Sequence, residues 1–171
     1  KTATFAGAGA MASGLITPFD QKQKESNLEE ILKSAKKSHT QKFNMSGYAA
    51  AALPVVRIGI IGLGDRGSGA VERLSFIEGV EIKALCDKRE VAVKESQKYL
   101  KSIGRPAAQE FFGSEDGWKK LVDMKDLDLI YTCTPWVLHT PISVYAMESG
   151  KHVACEVPIA RTIDEAWQLV E

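Results

Sequence analysis

The stretch VVRIGIIGLGDRGSGAVERLSFIEGVEIKALCD runs from Val55 to Asp87. Its first apolar run predicts a β-strand, and the helical spacing of apolar residues that follows predicts a helix. A second apolar run predicts another strand, which leads into Asp87. Between the first strand and the helix lie three glycines with the spacing GxGxxG, namely Gly62, Gly64 and Gly67. The order strand, glycine turn, helix, strand and acid predicts a dinucleotide-binding βαβ unit.

Each glycine of this turn has a predicted task. Gly62 allows a tight turn out of the strand, Gly64 lets the backbone approach a pyrophosphate, and Gly67 lets the helix pack closely on the strand. The pyrophosphate would bind the unpaired N–H groups at the start of the helix, including those of Asp65 and Arg66. The alternative is a glycine-rich structural turn in another α/β protein, in which Arg66 is only a surface charge.

Asp87 is predicted to accept hydrogen bonds from the hydroxyls of the adenosine ribose. A carboxylate at this point repels the 2′-phosphate of NADP, so NAD is the expected cofactor. Lys88 and Arg89 follow directly and could pair with such a phosphate, which leaves NADP as the less favoured choice. The alternative for Asp87 is a helix cap.

Strand and helix patterns continue to alternate along the chain, and this predicts an α/β fold with a doubly wound parallel sheet. Ligands of such sheets bind beyond the carboxyl ends of the strands. After Asp87 the sequence predicts four helices. The first covers about Arg89–Ile103, and the second is a short helix that contains Trp118 and is capped by Ser114. The third has Thr140 as its cap, Pro141 as its first residue and Gly150 after its last turn, and the fourth begins with a capping box of Thr162 and Glu165. The loops expected to face one crevice are Gly62–Gly67, Asp87–Arg89, Thr134–His139 and Glu156–Pro158.

The chain before this domain has two parts of different composition. Residues 1–19 are small and apolar without a charge from Thr2 to Phe19, and they resemble the end of a twin-arginine export signal. We expect a remnant of that signal and a periplasmic protein; a disordered or loosely helical terminus of a cytoplasmic protein is the alternative. Residues 20–52 form a polar linker, in which Asn27 and Glu30 predict a capping box for a helix over about 28–37.

Composition limits the classes of partner. The formal net charge is zero, from 22 basic and 22 acidic residues, which argues against a nucleic-acid partner. No stretch is long and apolar enough to span a membrane. The three cysteines, Cys86, Cys133 and Cys155, lack metal-ligand spacing, so we expect buried free thiols and no metal site.

Three segments carry a resemblance to a known family: GIIGLGDRGSGAVERL, CTPWVLHTP and AMESGKHVACEVP. They resemble the Gfo/Idh/MocA family of sugar oxidoreductases, from about Val55 to Glu171. The resemblance implies an NAD(P)-binding Rossmann domain over 53–171, cut within its last helix. It also implies a second α/β substrate domain and catalytic residues beyond Glu171.

The resemblance also assigns residues to the nicotinamide half of the cofactor. Glu156 and Val157 would lie beside the nicotinamide ribose, although Val157 could simply pack at a strand end. The alternatives are core packing for Trp136 and a structural hydrogen-bonding role for His139, but the place of both residues after a strand end favours the cofactor role. The residues expected to line the nicotinamide side are Thr134, Pro135, Trp136, Val137, Leu138 and His139.

One departure from the family pattern bears on the reaction. Typical dehydrogenases of the family carry Glu-Lys-Pro where this chain has Glu156-Val157-Pro158, and valine cannot exchange a proton. Val157 together with Trp136 and His139 is similar to the branch classed as glycoside hydrolase family 109. This resemblance implies an α-N-acetylgalactosaminidase with NAD as cofactor: C3 of the sugar is oxidised transiently, a base removes the C2 proton as the leaving group is eliminated, water adds, and the hydride is restored. The alternatives are a sugar or polyol dehydrogenase and a non-catalytic nucleotide-binding module. The expected partner is a small sugar or glycoside, and a homo-oligomer is compatible with the sequence.

Overall fold

The computed structural model describes Glu29, Lys33 and residues 39–42, 44–45 and 47–171. The chain divides into two units, Lys1–His39 and Thr40–Glu171. In the first unit Glu29 and Lys33 are helical, as expected for the helix over 28–37. The rest of that helix, its capping box and the predicted signal remnant 1–19 lie outside the described residues.

Strands and α-helices alternate through the described part of the second unit, as the sequence patterns predict. A 3-10 turn, Trp136–Leu138, leads directly into the fourth helix. The elements are β1 Val56–Ile61, α1 Asp65–Ser75, β2 Val80–Cys86, α2 Glu90–Ser102, β3 Gln109–Phe111, α3 Gly117–Val122, β4 Leu129–Thr132, α4 His139–Glu148, β5 His152–Cys155 and α5 Ile163–Val170.

The five strands form one parallel sheet in the order β3-β2-β1-β4-β5. The chain leaves β1 toward β2 and β3 on one side and later returns to pair β4 with the other side of β1. The last residue of β1, Ile61, is level with Cys86 of β2 and with Thr132 of β4. The carboxyl ends of the central strands therefore meet at one edge, at the point where the strand order reverses, and this is where a ligand is expected.

Two clusters of buried apolar side chains cover the two faces of the sheet. One cluster joins β1 and β2 to α1 and α2, and the other joins the sheet to α3 and α4. Gly59 in β1 has an unpredicted packing role, because a Cβ there would lie 2.6 Å from Cδ2 of Leu121 in α3. Helices on both faces confirm the doubly wound α/β architecture.

Two predicted helix starts are wrong. The fourth helix begins at His139 rather than after Thr140, because the Thr140 hydroxyl donates a hydrogen bond to the carbonyl of Ile159 at 2.9 Å instead of capping. Ser114 does not cap α3, which begins at Gly117; its hydroxyl accepts from the Asp116 N–H at 3.2 Å within the preceding turn.

The capping box at the start of α5 is confirmed. The Glu165 N–H donates to the Thr162 hydroxyl at 3.1 Å, and the Thr162 N–H donates to the Glu165 carboxylate at 3.3 Å. In the part of the chain that the structure describes, no helix combines the length and the apolar character needed to cross a membrane. The three cysteines are free thiols, of which Cys86 is buried and the other two are partly buried.

Candidate functional site

The glycine turn after β1 has the geometry that the sequence predicts. Gly62 has φ of +86°, a conformation that favours glycine, and its N–H donates to the Cys86 carbonyl at 2.7 Å. A Cβ at Gly62 would lie 2.8 Å from backbone atoms of Cys133, and a Cβ at Gly67 would lie 1.7 Å from the carbonyl oxygen of Gly62. These two glycines therefore let α1 and the loop after β4 close tightly around the turn.

The start of α1 offers unpaired donors to a ligand. Gly64 precedes the helix, and no side chain caps it. The first hydrogen bond into the helix is donated by the Ser68 N–H to the Gly64 carbonyl at 2.8 Å. The N–H groups of Asp65, Arg66 and Gly67 precede that bond, and they combine with the positive end of the helix dipole to form an anion site.

Asp87 stands at the end of β2 as predicted, and its carboxylate binds the glycine turn directly. The Leu63 N–H donates to Oδ2 at 2.8 Å, and the Arg89 N–H donates to Oδ1 at 2.8 Å. The Arg89 guanidinium pairs with the same carboxylate, with Nε 3.1 Å from Oδ1. Burial favours a higher pKa of Asp87, but the hydrogen bonds from Arg89 and Leu63 outweigh it, and the net pKa is lowered. Asp87 is therefore a fixed negative charge beside the turn.

A crevice of about 610 Å³ lies along the carboxyl ends of the strands. It brings together seven of the predicted site residues: Gly62, Gly64, Asp87, Thr134, Pro135, Val137 and Leu138. The sequence interpretation missed part of its wall, namely Cys86, Ser114, Glu115, Trp118 and Cys133. Ser114 and Glu115 follow β3, the neighbour of β2, so the same rule about strand ends would have found them.

The two thiols in this wall are not reactive groups. Burial raises the pKa of Cys86 to about 12, and the nearby Asp87 charge adds to the effect. Burial likewise raises the pKa of Cys133 to about 12, with a further contribution from Glu156. Both sulfurs stay protonated near neutral pH, so they serve as apolar wall rather than as nucleophiles.

His139 differs from its predicted role as a lining residue. Its side chain is buried, with only 1% of the residue exposed. The ring nitrogens lie 2.7 Å from the Thr134 carbonyl and 2.8 Å from the Pro158 carbonyl. The ring therefore lies between the loop after β4, which contains Thr134, and the loop after β5, which contains Pro158. His139 joins the loops after β4 and β5 and leaves no ring nitrogen for a ligand.

Other residues expected at the nicotinamide side are more accessible. Trp136 is 62% exposed in the 3-10 turn, and Val157 is 81% exposed directly after β5. Glu156 is partly buried, and its N–H donates to the Thr132 carbonyl at 3.0 Å. The Val157–Pro158 peptide bond is cis. The loops Thr134–His139 and Glu156–Pro158 therefore follow the carboxyl ends of β4 and β5, as predicted. Trp136 and Val157 present their side chains to solvent.

These features fit a dinucleotide cofactor. A cradle that a Cβ would fill, an uncapped helix start and a fixed carboxylate at the next strand end lie together at the switch point of the sheet. The described residues contain no set of three or more His, Cys, Asp or Glu side chains able to hold a metal ion.

Comparison with known proteins agrees with this geometry. An α-N-acetylgalactosaminidase of Bacteroides fragilis is 50% identical over 125 residues, which cover 73% of this chain and 29% of that protein. A glycosyl hydrolase family 109 protein of Porphyromonas gingivalis is 54% identical over 119 residues, which cover 70% of this chain and 25% of that protein. The chain thus spans less than a third of the length of these relatives.

Solved structures with the same fold include oxidoreductases. A myo-inositol 2-dehydrogenase from Lactobacillus plantarum superposes with a TM-score of 0.58 at 25% identity, covering 67% of this chain and 32% of that chain. A 3-ketoreductase from Actinomadura kijaniata, solved in complex with NADP, gives a TM-score of 0.56 at 26% identity, covering 67% of this chain and 33% of that chain.

The family model extends over most of the chain. Residues 56–171, from β1 to the end of the sequence, match the Gfo/Idh/MocA model, which is described as an oxidoreductase family with an NAD-binding Rossmann fold. This match covers the glycine turn, Asp87 and all five strands. The chain therefore belongs to the Gfo/Idh/MocA family and forms its NAD(P)-binding Rossmann domain.

Proposed function

We propose that the crevice binds NAD in preference to NADP. The Asp87 carboxylate supports this preference, because its side chain is only 9% exposed and is fixed by the Leu63 and Arg89 N–H groups. A second negative charge, such as a 2′-phosphate, would be repelled there. Arg89 already pairs with Asp87, so its charge is not free to compensate for a phosphate without breaking that pair.

The preference can be measured by titrating the intact protein with NAD and NADP in parallel. We expect tighter binding of NAD. In an Asp87→Asn variant the preference should shrink by about tenfold, because a nearby charge repulsion is removed. Lys83→Gln is the matched control, since its ammonium pairs with Glu81 at 3.5 Å and Lys83 does not line the crevice. Equal binding of the two nucleotides by the wild type would contradict the proposal.

For the whole protein we propose an NAD-dependent glycosidase that acts on α-N-acetylgalactosaminides. The observation that carries this proposal is Val157, which stands in the Glu156-Val157-Pro158 motif where typical dehydrogenases of the family have a lysine. Val157 is 81% exposed directly after β5, so its side chain is not there to fill the core. The α-N-acetylgalactosaminidase of Bacteroides fragilis at 50% identity supports the same activity.

The residues of this chain would hold the cofactor in three places. The start of α1 would bind the pyrophosphate, and Asp87 would bind the adenosine ribose. Trp136 and Glu156 would border the nicotinamide end. When bound, NAD would supply the acceptor for a hydride from C3 of the sugar. The resulting ketone would acidify the C2 proton, so that a base can remove it as the glycosidic oxygen leaves. Water would then add to the unsaturated sugar, and the hydride would return to C3. In this scheme the cofactor is not consumed, and no pair of catalytic carboxylates is needed.

The test is turnover of p-nitrophenyl α-N-acetylgalactosaminide by the intact protein with its bound nucleotide. We expect release of nitrophenol without accumulation of NADH. The Gly64→Ala variant serves as the comparison, because its methyl group would fill the pyrophosphate cradle and leave the other residues of the site in place. We expect this variant to release less nitrophenol than the wild type. Nitrophenol release that persists in a nucleotide-free protein would contradict the proposed role of NAD.

A sugar or polyol dehydrogenase is the second candidate. It is favoured by the fold shared with the myo-inositol 2-dehydrogenase, at a TM-score of 0.58. A dehydrogenase would form NADH in proportion to the sugar consumed and would not cleave the glycoside. The same assay therefore separates the two activities, and a protein that binds nucleotide but shows neither turnover would instead favour a non-catalytic nucleotide-binding module.

A further inference from the structure

Tyr131 and Glu156 form a hydrogen-bonded pair across the edge of the sheet. Tyr131 lies in β4, level with Ala154 of β5, and its side chain packs against the apolar cluster under α1 and α2. Its hydroxyl donates to Oε1 of Glu156 at 2.9 Å. Because the Glu156 N–H also donates to the Thr132 carbonyl at 3.0 Å, both the backbone and the carboxylate of Glu156 are anchored to β4.

The hydroxyl of Tyr131 is a stable donor in this pair. Burial, followed by the hydrogen bond to Glu156, raises the pKa of Tyr131 to about 12, so the phenol stays protonated at neutral pH. Among the described residues, Tyr131 is the side chain that donates to the Glu156 carboxylate. The Oε2 atom is left available to accept a hydrogen bond from a ligand.

We propose that Tyr131 is a positioning residue that orients the Glu156 carboxylate toward a ribose hydroxyl at the nicotinamide end of the cofactor. The proposal rests on the proposed binding of NAD. Tyr131 acts through Glu156 and does not itself contact the cofactor. A carboxylate held by one oxygen binds a hydroxyl with less loss of side-chain entropy than a freely rotating glutamate, so removal of the phenol hydroxyl weakens only the part of the ligand that Glu156 binds.

The test compares two nucleotides in the intact protein by isothermal titration. NAD contains the nicotinamide ribose, and ADP does not. A Tyr131→Phe variant should bind NAD about tenfold more weakly than the wild type, in line with the loss of a hydrogen bond to a charged group, and should bind ADP unchanged. Tyr145→Phe is the matched control, because the Tyr145 hydroxyl likewise donates to a carboxylate, that of Asp123 at 3.0 Å, and Tyr145 does not line the crevice. It should bind both nucleotides as the wild type does.

A double-mutant cycle checks that the effect passes through Glu156. Glu156→Gln should weaken NAD binding, and adding Tyr131→Phe should then have little further effect, because the two groups act as one unit. Independent, additive losses would overturn the inference, as would equal losses of NAD and ADP binding in Tyr131→Phe. A wild-type protein that binds ADP but not NAD would overturn the inference and the proposed function together.

Discussion

The three glycines of the turn differ in what a side chain would meet. At Gly62 and Gly67 a Cβ would collide with backbone atoms, at 2.8 Å and 1.7 Å. At Gly64 the nearest atom would be Nη2 of Arg89 at 3.9 Å, an ordinary contact. The spacing GxGxxG thus combines two residues that the fold requires with one residue whose missing side chain matters only to a ligand.

The Gly67→Ala substitution should destabilise the protein. The added methyl group would overlap the Gly62 carbonyl, and α1 would have to move away from β1. We expect a loss of about 3 kcal/mol in the free energy of unfolding, at the upper end for overpacked sites. Urea denaturation measures it. Gly117→Ala is the control, since a Cβ there would meet only atoms at 3.8 Å, and it should not destabilise the protein and should add up to about 1 kcal/mol.

The Gly64→Ala substitution should have the opposite pattern. The midpoint of urea denaturation should stay close to that of the wild type, because the new methyl group has space in the absence of a ligand. The affinity for NAD should fall by at least about tenfold, since the methyl group would occupy the approach of the pyrophosphate to the backbone. Unchanged affinity, measured by titration, would show that the ligand does not approach the turn at Gly64.

At the scale of elements, an ion pair joins β1 to the start of β4. The Arg57 guanidinium binds Asp128 through two bonds, Nε to Oδ2 at 2.8 Å and Nη2 to Oδ1 at 2.6 Å. The Arg57 N–H donates to the same carboxylate at 2.8 Å. The side-chain hydrogen bond from Arg57 is the largest cause that lowers the pKa of Asp128, which falls to about 2 from its usual 3.8.

This lowered pKa predicts a pH-dependent contribution to stability. A carboxylate whose pKa is lower in the folded state stabilises the protein above its unfolded pKa, and the effect is lost as pH falls from about 4 toward 2. Asp128→Asn should cost about 1 kcal/mol at pH 7, with most of the difference from the wild type lost near pH 2 and the rest below it. Thermal unfolding across this pH range measures it.

The control for that experiment is Asp126→Asn. The Asp126 carboxylate is half exposed and lies 3.8 Å from the Lys83 ammonium. We expect it to change stability by less than about 0.5 kcal/mol at any pH. A constant difference between wild type and Asp128→Asn down to pH 2 would show that the lost packing, rather than the lost charge, causes the effect.

Element order was predictable from the sequence, whereas two helix starts and one site residue were not. Apolar periodicity is a local property, so the strands and helices follow from it. Thr140 and His139 instead bind the carbonyls of Ile159 and Pro158, in a loop about 20 residues further along the chain. No local pattern shows that a cap-like threonine or an exposed-looking histidine has a distant backbone partner.

At the scale of the whole molecule, the candidate site is made of loops that the sheet alone brings together. The order β3-β2-β1-β4-β5 places the loops after β2 and β4 on opposite sides of the glycine turn. The rule about strand ends therefore predicted the crevice and most of its glycine and loop residues. It did not predict the apolar wall from Trp118, because α3 belongs to the core by its pattern and reaches the crevice only through tertiary packing.

Because several loops meet at one crevice, a bound dinucleotide should stabilise the whole fold. A ligand at 100 times its dissociation constant contributes about 2.7 kcal/mol to the free energy of unfolding. For a domain of about 150–250 residues that corresponds to a rise in Tm of roughly 5–10 °C. We expect this rise for NAD in thermal scans of the intact protein. A smaller rise is expected for ADP at the same concentration, because ADP lacks the nicotinamide ribose that would reach the loops after β4 and β5.

The Gly64→Ala variant should show the wild-type Tm without ligand and little response to either nucleotide. A rise of equal size in that variant would mean that the stabilising ligand binds outside the glycine turn, since the turn is the one part of the crevice that the substitution alters.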